Sequence, residues 1–214
     1  VTMKPVLYGG LVARAARVPA VVHAITGLGY LFLIEGTAAR VQRAIIKSFY
    51  ALALAHHNAH TIFQNPDDLK LFRDARLVDP AITSMIKGCG VDMTAFAPRD
   101  EPGGPPVVMF PARILGDKGV HEFIEAARIL KQRGSGARFV LVGRTDPDNP
   151  TDVGEAGIKA WTDEGIVEWW GFAEDMAATL AQAHIVCMPS YREGLPRVLI
   201  EAAAHALPIV TADV

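Results

Sequence analysis

The sequence predicts an α/β protein made of two halves, each built on a parallel sheet. Three observations carry this. Short apolar runs of strand length alternate with helical stretches whose apolar residues recur at three and four positions. One segment breaks the alternation, Ala97-Pro98-Arg99-Asp100-Glu101-Pro102-Gly103-Gly104-Pro105-Pro106, where proline, glycine and charge replace apolar residues. And 214 residues, 50% of them hydrophobic, suffice for two modest cores. The boundaries that follow are residues 1–97 for the first half, 98–106 for a linker and 107–214 for the second half.

In the second half, 106–110 reads as a strand, followed by a loop to Lys118-Gly119. A helix over 120–133 places Val120, Phe123, Ile124, Ala127 and Leu130 on one face, and Gly134 ends it. A buried-type strand over 139–142 closes at Gly143. A polar loop over 145–152 and a helix to Trp161 come next. Strands over 166–170, 184–188 and 209–211 then alternate with helices over 175–183 and 196–206. Strands separated by helices at these intervals imply right-handed β-α-β units. The first half is similar but less complete. It reads as helix 5–17, strand 20–25, helix 36–57, strand 61–64, helix 67–76 and a short strand 85–87.

The bulk numbers exclude several classes. A net charge of −2 offers no global basic field, so nucleic acid is not an expected partner. The two cysteines, Cys89 and Cys187, stand far apart among apolar or glycine neighbours. This argues against a disulfide framework or a cysteine zinc site and fits a reducing compartment. Charges interrupt the longest apolar runs, so none of about 20 residues is expected to cross a bilayer. The expected location is cytoplasmic. The abrupt start at Val1-Thr2-Met3 and the stop at Ala212-Asp213-Val214 read as those of a segment of a longer protein.

Chemistry concentrates after the strand over 184–188. Glu193 lies in the loop beyond that strand, and Gly194, Leu195 and Pro196 open the following helix. Proline is tolerated in a first helical turn, where its missing N–H would be unbonded. Backbone N–H groups at Gly194 and Leu195 then make an anion site at the positive end of the helix. Gly194 lets a phosphate approach without a clashing Cβ. Arg113 and Lys118, in the loop after the first strand of this half, belong to the same sheet edge. Two cations with a helix N-terminus suit a diphosphate. The carboxylates of Glu193 and Glu201 instead suit vicinal hydroxyls, as on a sugar or a ribose. Together these groups describe a nucleotide sugar.

The stretch "EGLPRVLIE" resembles the paired-glutamate signature of retaining glycosyltransferases of family four, which have the two-domain GT-B fold. "ARILGDKGVHEFIEAARIL" and "GCGVDMTAFAP" resemble that family's donor-domain opening and interdomain strand. "KPVLYGGLVARAARVPAVVHAITGLGYLF" is similar to members that extend lipid-linked saccharides in capsule, O-antigen or protein glycan synthesis. The resemblance implies two Rossmann-like parallel-sheet domains, truncated here at both ends. It implies transfer from a nucleotide-diphosphate sugar, with UDP the expected carrier, to a lipid-linked saccharide acceptor. Glu193 would contact the donor sugar and Glu201 the ribose. Gly194 and Leu195 would offer N–H groups, Arg113 and Lys118 would hold the diphosphate, and Gly143 and Phe172 fall where the base docks. Family members use no metal and no cofactor beyond the co-substrate.

Plainer readings stand beside these. Arg197, Glu201 and His205 fall at i, i+4 and i+8, so Glu201 could be a salt-bridged surface residue. Arg113 and Lys118 alone would be solvated loop charges. His23, on an apolar strand before Thr26-Gly27-Leu28-Gly29, reads either as a satisfied core histidine or as a catalytic or acceptor-side group beside Thr26 and Gly27. His56, His57 and His60 resemble a metal cluster, but they close a helix, where histidine suits the dipole. Arg40, Arg43 and Lys47 interleave with Ile45, Ile46, Phe49 and Leu52. That pattern fits a helix on an anionic membrane surface, peripheral on its inner face, and equally a core helix with a basic outer face. An epimerase or phosphorylase of the same fold, and a non-catalytic nucleotide-binding partner domain, are the rival functions.

Overall fold

The computed structural model describes residues 3–27 and 36–213, with the side chains of residues 38 and 39 left out. The chain forms two compact units. One contains Val1–Cys89 together with Glu193–Leu195; the other contains Gly90–Arg192 and Pro196–Val214.

In the first unit, α1 (Met3–Ala15), β1 (Val21–Ile25), α2 (Thr37–Leu54), β2 (Ala59–Phe63) and α3 (Pro66–Asp74) precede β3 (Thr83–Met85). The strands pair in parallel in the order β1-β2-β3, with His23 opposite Thr61 and Ile25 opposite Phe63. α3 starts where Asn65 accepts from the Asp68 N–H and proline follows at the first helical position, two start signals in one place. Burial alternates along β2, so one sheet face carries the core of Val6, Ile25, Tyr50, Leu54, Phe63 and Phe72.

The second unit holds β4 (Val107–Pro111), α4 (Val120–Gln132), β5 (Arg138–Val142), α5 (Gly154–Asp163) and β6 (Glu168–Trp169). α6 (Met176–Leu180), β7 (Ile185–Met188), α7 (Arg197–Ala204) and β8 (Ile209–Thr211) complete it. All five strands are parallel, in the order β6-β5-β4-β7-β8. The chain starts in the middle, builds outward to β6, then returns to build the other side. The order reverses between β4 and β7, and ligands of such sheets bind beyond the carboxyl ends at that reversal.

Both faces of this sheet are covered. Val107, Met109, Val140 and Val142 point to one core with Leu180 and Ala202. Phe110, Phe139 and Leu141 point to the other with Phe123, Ile124 and Ile158. The helical periodicity of α4 is met at Val120, Phe123, Ile124 and Ala127, but Leu130 is 40% exposed. The buried face of α4 therefore ends at Ala127. Phe96 is buried in the second unit, and His205 Nδ1 donates to the Ala97 carbonyl at 2.9 Å. The segment 90–97 thus packs with the second core.

Candidate functional site

The loop after β4 is built before any ligand arrives. Ile114 and Leu115 are fully buried and pin it to the core. The Ile114 N–H donates to the Arg144 carbonyl (3.1 Å), the Gly116 N–H to the Thr151 carbonyl (2.8 Å) and the Lys118 N–H to the Leu115 carbonyl (3.1 Å). This loop also meets the one after β7. The Tyr191 N–H donates to the Asp117 carbonyl at 3.0 Å, and Ser190 Oγ reaches the Lys118 carbonyl at 3.4 Å. Adjacent strands β4 and β7 therefore bring the Lys118 backbone against Ser190 and Tyr191. The Tyr191 hydroxyl donates to Glu122 Oε1 at 2.5 Å, and that bond, followed by the Glu122 charge, raises its pKa.

Arg113 takes a different partner. Its guanidinium pairs with Asp146, in the loop after β5. That loop is a tight turn: the Asn149 N–H donates to the Asp146 carbonyl (2.8 Å), and the Asp146 N–H donates to Asp152 Oδ1 (2.9 Å). Arg113 is thus an ion-paired residue whose side chain is still half exposed. Asp146 escaped the sequence reading, although its Asp-Pro-Asp-Asn-Pro setting is a turn signal.

Arg113, Gly143 and Phe172 line one cavity of about 310 Å³ with Pro111, Val142 and Met176. Glycine at 143 is required by packing, since a Cβ there would collide with the Ala112 carbonyl. The Gly143 N–H donates to the Gly171 carbonyl (2.8 Å), and its carbonyl accepts from Trp169 Nε1 (2.9 Å). The Arg144 guanidinium lies 4.0 Å from the Phe172 ring centroid. Arg144 was missed from sequence; its one signal is its place directly beyond a central strand.

Glu201 sits on α7, only 6% exposed, with Arg197 Nε 2.8 Å from its Oε1. The i, i+4 ion pair forms, yet the carboxylate is not on the surface. The start of α7 corrects one expectation. Pro196 is the N-cap, with extended backbone, and the helix begins at Arg197. Gly194 and Leu195 therefore precede the helix, and the N–H groups of its first turn belong to Arg197 and Val198. The helix starts one residue later than expected because Pro196 keeps an extended backbone, with ψ at 112°. Gly194 lies within the first unit, where a Cβ would collide with the Thr26 carbonyl.

In the first unit, His23 is buried, and its Nε2 has no hydrogen-bond partner among the described residues. Burial first, then the nearby His56, lowers its pKa. A satisfied core histidine is not what this strand holds. Thr26 and Gly27 follow β1, while Leu28 and Gly29 fall outside the described residues. The other histidines each have their own setting. His56 Nδ1 accepts from the Asn58 N–H (3.1 Å), so its Nε2 donates to the Val18 carbonyl (2.9 Å). His57 stacks on His56, and His60 Nε2 lies 2.8 Å from Ser84 Oγ.

Residues 105–214, about half of the chain, match the family of glycosyl transferases group 1. The chain belongs to that family. Among similar glycosyl transferases is the N,N'-diacetylbacillosaminyl-diphospho-undecaprenol alpha-1,3-N-acetylgalactosaminyltransferase of Campylobacter jejuni, 32% identical, covering 96% of this chain and 56% of that protein. The UDP-Gal:alpha-D-GlcNAc-diphosphoundecaprenol alpha-1,3-galactosyltransferase of Escherichia coli is 25% identical, covering 97% and 55%. The chain thus spans about half the length of these relatives. In fold it is similar to Anabaena HepE, solved with UDP-glucose, with a TM-score of 0.76, 21% identity, and coverage of 99% of this chain and 58% of that one. A two-domain α/β glycosyltransferase fold is thereby shown. Among the described residues, no helix is long and apolar enough to cross a membrane.

Proposed function

We propose that the chain is part of a retaining glycosyltransferase. It moves a sugar from a nucleotide-diphosphate sugar, with UDP the expected carrier, to a lipid-linked saccharide acceptor in surface polysaccharide or glycan synthesis. The observation that carries this is the loop bearing Lys118, hydrogen-bonded onto the loop after β7 at the point where strand order reverses. The names of the relatives favour transfer over epimerisation.

In this reading Lys118 and Arg113 hold the diphosphate, and Arg113 is shared with or released by Asp146 when the donor binds. Glu201 accepts from the ribose diol, and its burial strengthens those bonds by excluding water. Glu193 contacts the donor sugar, and Gly194 and Leu195 offer N–H groups. Gly143 and Phe172 border the base. On the acceptor side stand His23, Thr26 and Gly27. No metal takes part. The leaving diphosphate oxygen takes the acceptor proton on the face it departs from, as the new glycosidic bond forms. The configuration at the anomeric carbon is then kept, and the positive groups stabilise the charge that grows on the diphosphate.

In the intact protein, Lys118→Ala should lower kcat by roughly 10²–10³-fold, as when one preorganised donor is lost, with a smaller rise in donor KM. Glu201→Ala should weaken nucleoside diphosphate binding by about 1–3 kcal/mol. Normal turnover in the lysine variant, or unchanged nucleotide affinity in the glutamate variant, defeats the corresponding role. Release of nucleoside diphosphate without any new glycoside points to an epimerase or hydrolase instead.

The expected place of work is the cytoplasmic surface of a membrane. The support lies on α2, where Val41, Ile45, Phe49 and Leu52 are exposed on the same helix as Arg40, Arg43 and Lys47. Flotation with anionic vesicles should carry the intact protein, less so in high salt. Equal recovery without vesicles removes this part.

A further inference from the structure

We propose that Tyr191 is a positioning residue for the transfer: it grips the turn carrying Lys118 at both ends and so fixes where that lysine meets the donor's diphosphate. This rests on the reading of Lys118 as a diphosphate contact and adds to it the group that holds the lysine in place.

The turn is short. It covers Gly116–Lys118 and gives way at Gly119 to α4. Tyr191 reaches it twice. Its N–H donates to the Asp117 carbonyl at 3.0 Å, just ahead of Lys118, and its hydroxyl donates to Glu122 Oε1 at 2.5 Å, in the first turn of α4. Lys118 and Gly119 lie between the two grips. Ser190, the neighbour of Tyr191, adds a 3.4 Å bond from its Oγ to the Lys118 carbonyl. The two loops also touch through their backbones. A Cβ on Gly119, where φ is 78°, would stand 2.1 Å from the Pro189 carbonyl oxygen.

Stability does not account for the side-chain bond. Tyr191 is 55% exposed, and a hydrogen bond between exposed groups contributes little to folding. Glu122 suits the positive end of α4 without any tyrosine beside it. What the bond changes is the freedom of the turn. A lysine ammonium rides on a flexible four-carbon stem, so its place depends first on its backbone. A charge that stabilises a departing diphosphate acts fully only where that charge grows, and a misplacement of about 1 Å is costly.

The test uses the intact protein, with UDP and inorganic pyrophosphate titrated by calorimetry and uridine followed by ligand NMR. UDP is the expected leaving group, so it carries the charge assigned to Lys118. Tyr191→Phe removes only the hydroxyl. It should weaken UDP and pyrophosphate alike by about fivefold, part of one charge-assisted contact, with uridine affinity and unfolding temperature unchanged. Glu122→Ala should do the same, whereas Glu122→Gln keeps an oxygen acceptor and should stay within about twofold of the wild type. In a Lys118→Ala background, Tyr191→Phe should have no further effect, because it acts through that lysine. Unchanged UDP affinity in Tyr191→Phe overturns the proposal, and so does a loss that adds in full to that of Lys118→Ala. Uridine weakened as much as UDP overturns it too, since the hydroxyl would then support the unit as a whole. Lys118→Ala protein with full UDP and pyrophosphate affinity defeats the Lys118 reading itself.

Discussion

The two parallel sheets of this chain are covered differently. In β2 burial alternates, with Ala59, Thr61 and Phe63 inward and His60 and Ile62 only half-buried. In β5 the four residues from Phe139 to Val142 are all buried, because helices pack on both faces. The polar residues of the two sheets differ in the same way. His184, just ahead of β7, accepts from the Val107 N–H (3.0 Å) and donates to the Pro102 carbonyl (2.9 Å). His23, in the middle of β1, has an Nε2 with no partner. The lesson concerns where function can sit. A doubly covered sheet fixes the loops at its carboxyl ends, and these are the loops that carry Arg113 and Lys118. Each unit nevertheless holds one buried imidazole nitrogen without a hydrogen-bond partner among the described residues, His23 Nε2 in the first and His205 Nε2 in the second.

The largest effect should break or keep the difference in cover. Leu141→Ala should cost about 2–5 kcal/mol, as for a fully buried leucine, read by denaturant unfolding on tryptophan fluorescence. All three tryptophans lie in the second unit, so that signal is its own. The matching change on the half-buried face of β2, Ile62→Ala, should cost about 1 kcal/mol, read by hydrogen exchange of β2 amides. Equal costs would show that the outer face of β2 is covered in the intact protein.

A smaller effect concerns His23. Its folded pKa lies below the unfolded value of 6.5 because burial disfavours the imidazolium. The unfolded state therefore binds more protons, and the stability tied to this residue is present above pH 6.5 and lost as pH falls below it. Thermal unfolding between pH 7.5 and 5.5 should show the wild type losing more stability than His23→Leu. Parallel curves would mean that water or a neighbour already satisfies the ring, and the contrast with His184 would disappear.

Much of the fold was legible in the residues. Gly119 and Gly134 bracket α4 and Asn65-Pro66 starts α3, whereas the two units part at Cys89 and Gly90, ahead of the Pro/Gly run from Ala97 to Pro106. Periodicity and backbone limits are local properties, so they survive without knowledge of the partner. The candidate site was legible in part. The loops bearing Lys118 and Glu193 were named from position beyond strand ends, whereas Gly143 and Phe172 were named only from the family resemblance. The Arg144–Phe172 stack and the Arg113–Asp146 pair were not, since each joins residues that only the sheet order brings together.

What the sequence alone determined was therefore the list of elements and their polarity. Each follows from side-chain period, β-branching and the φ limits of glycine and proline over a few residues. What only the tertiary structure decided was which of those residues are buried and what they meet. Leu130 lies outside the core although its spacing continues the buried face of α4. Glu201 lies buried while keeping the ion pair that its spacing allows. The segment 90–97 joins the second unit because Phe96 fills a space there and His205 holds the Ala97 carbonyl. Burial and long-range pairing depend on where every other element comes to rest, and no local window of sequence contains that information.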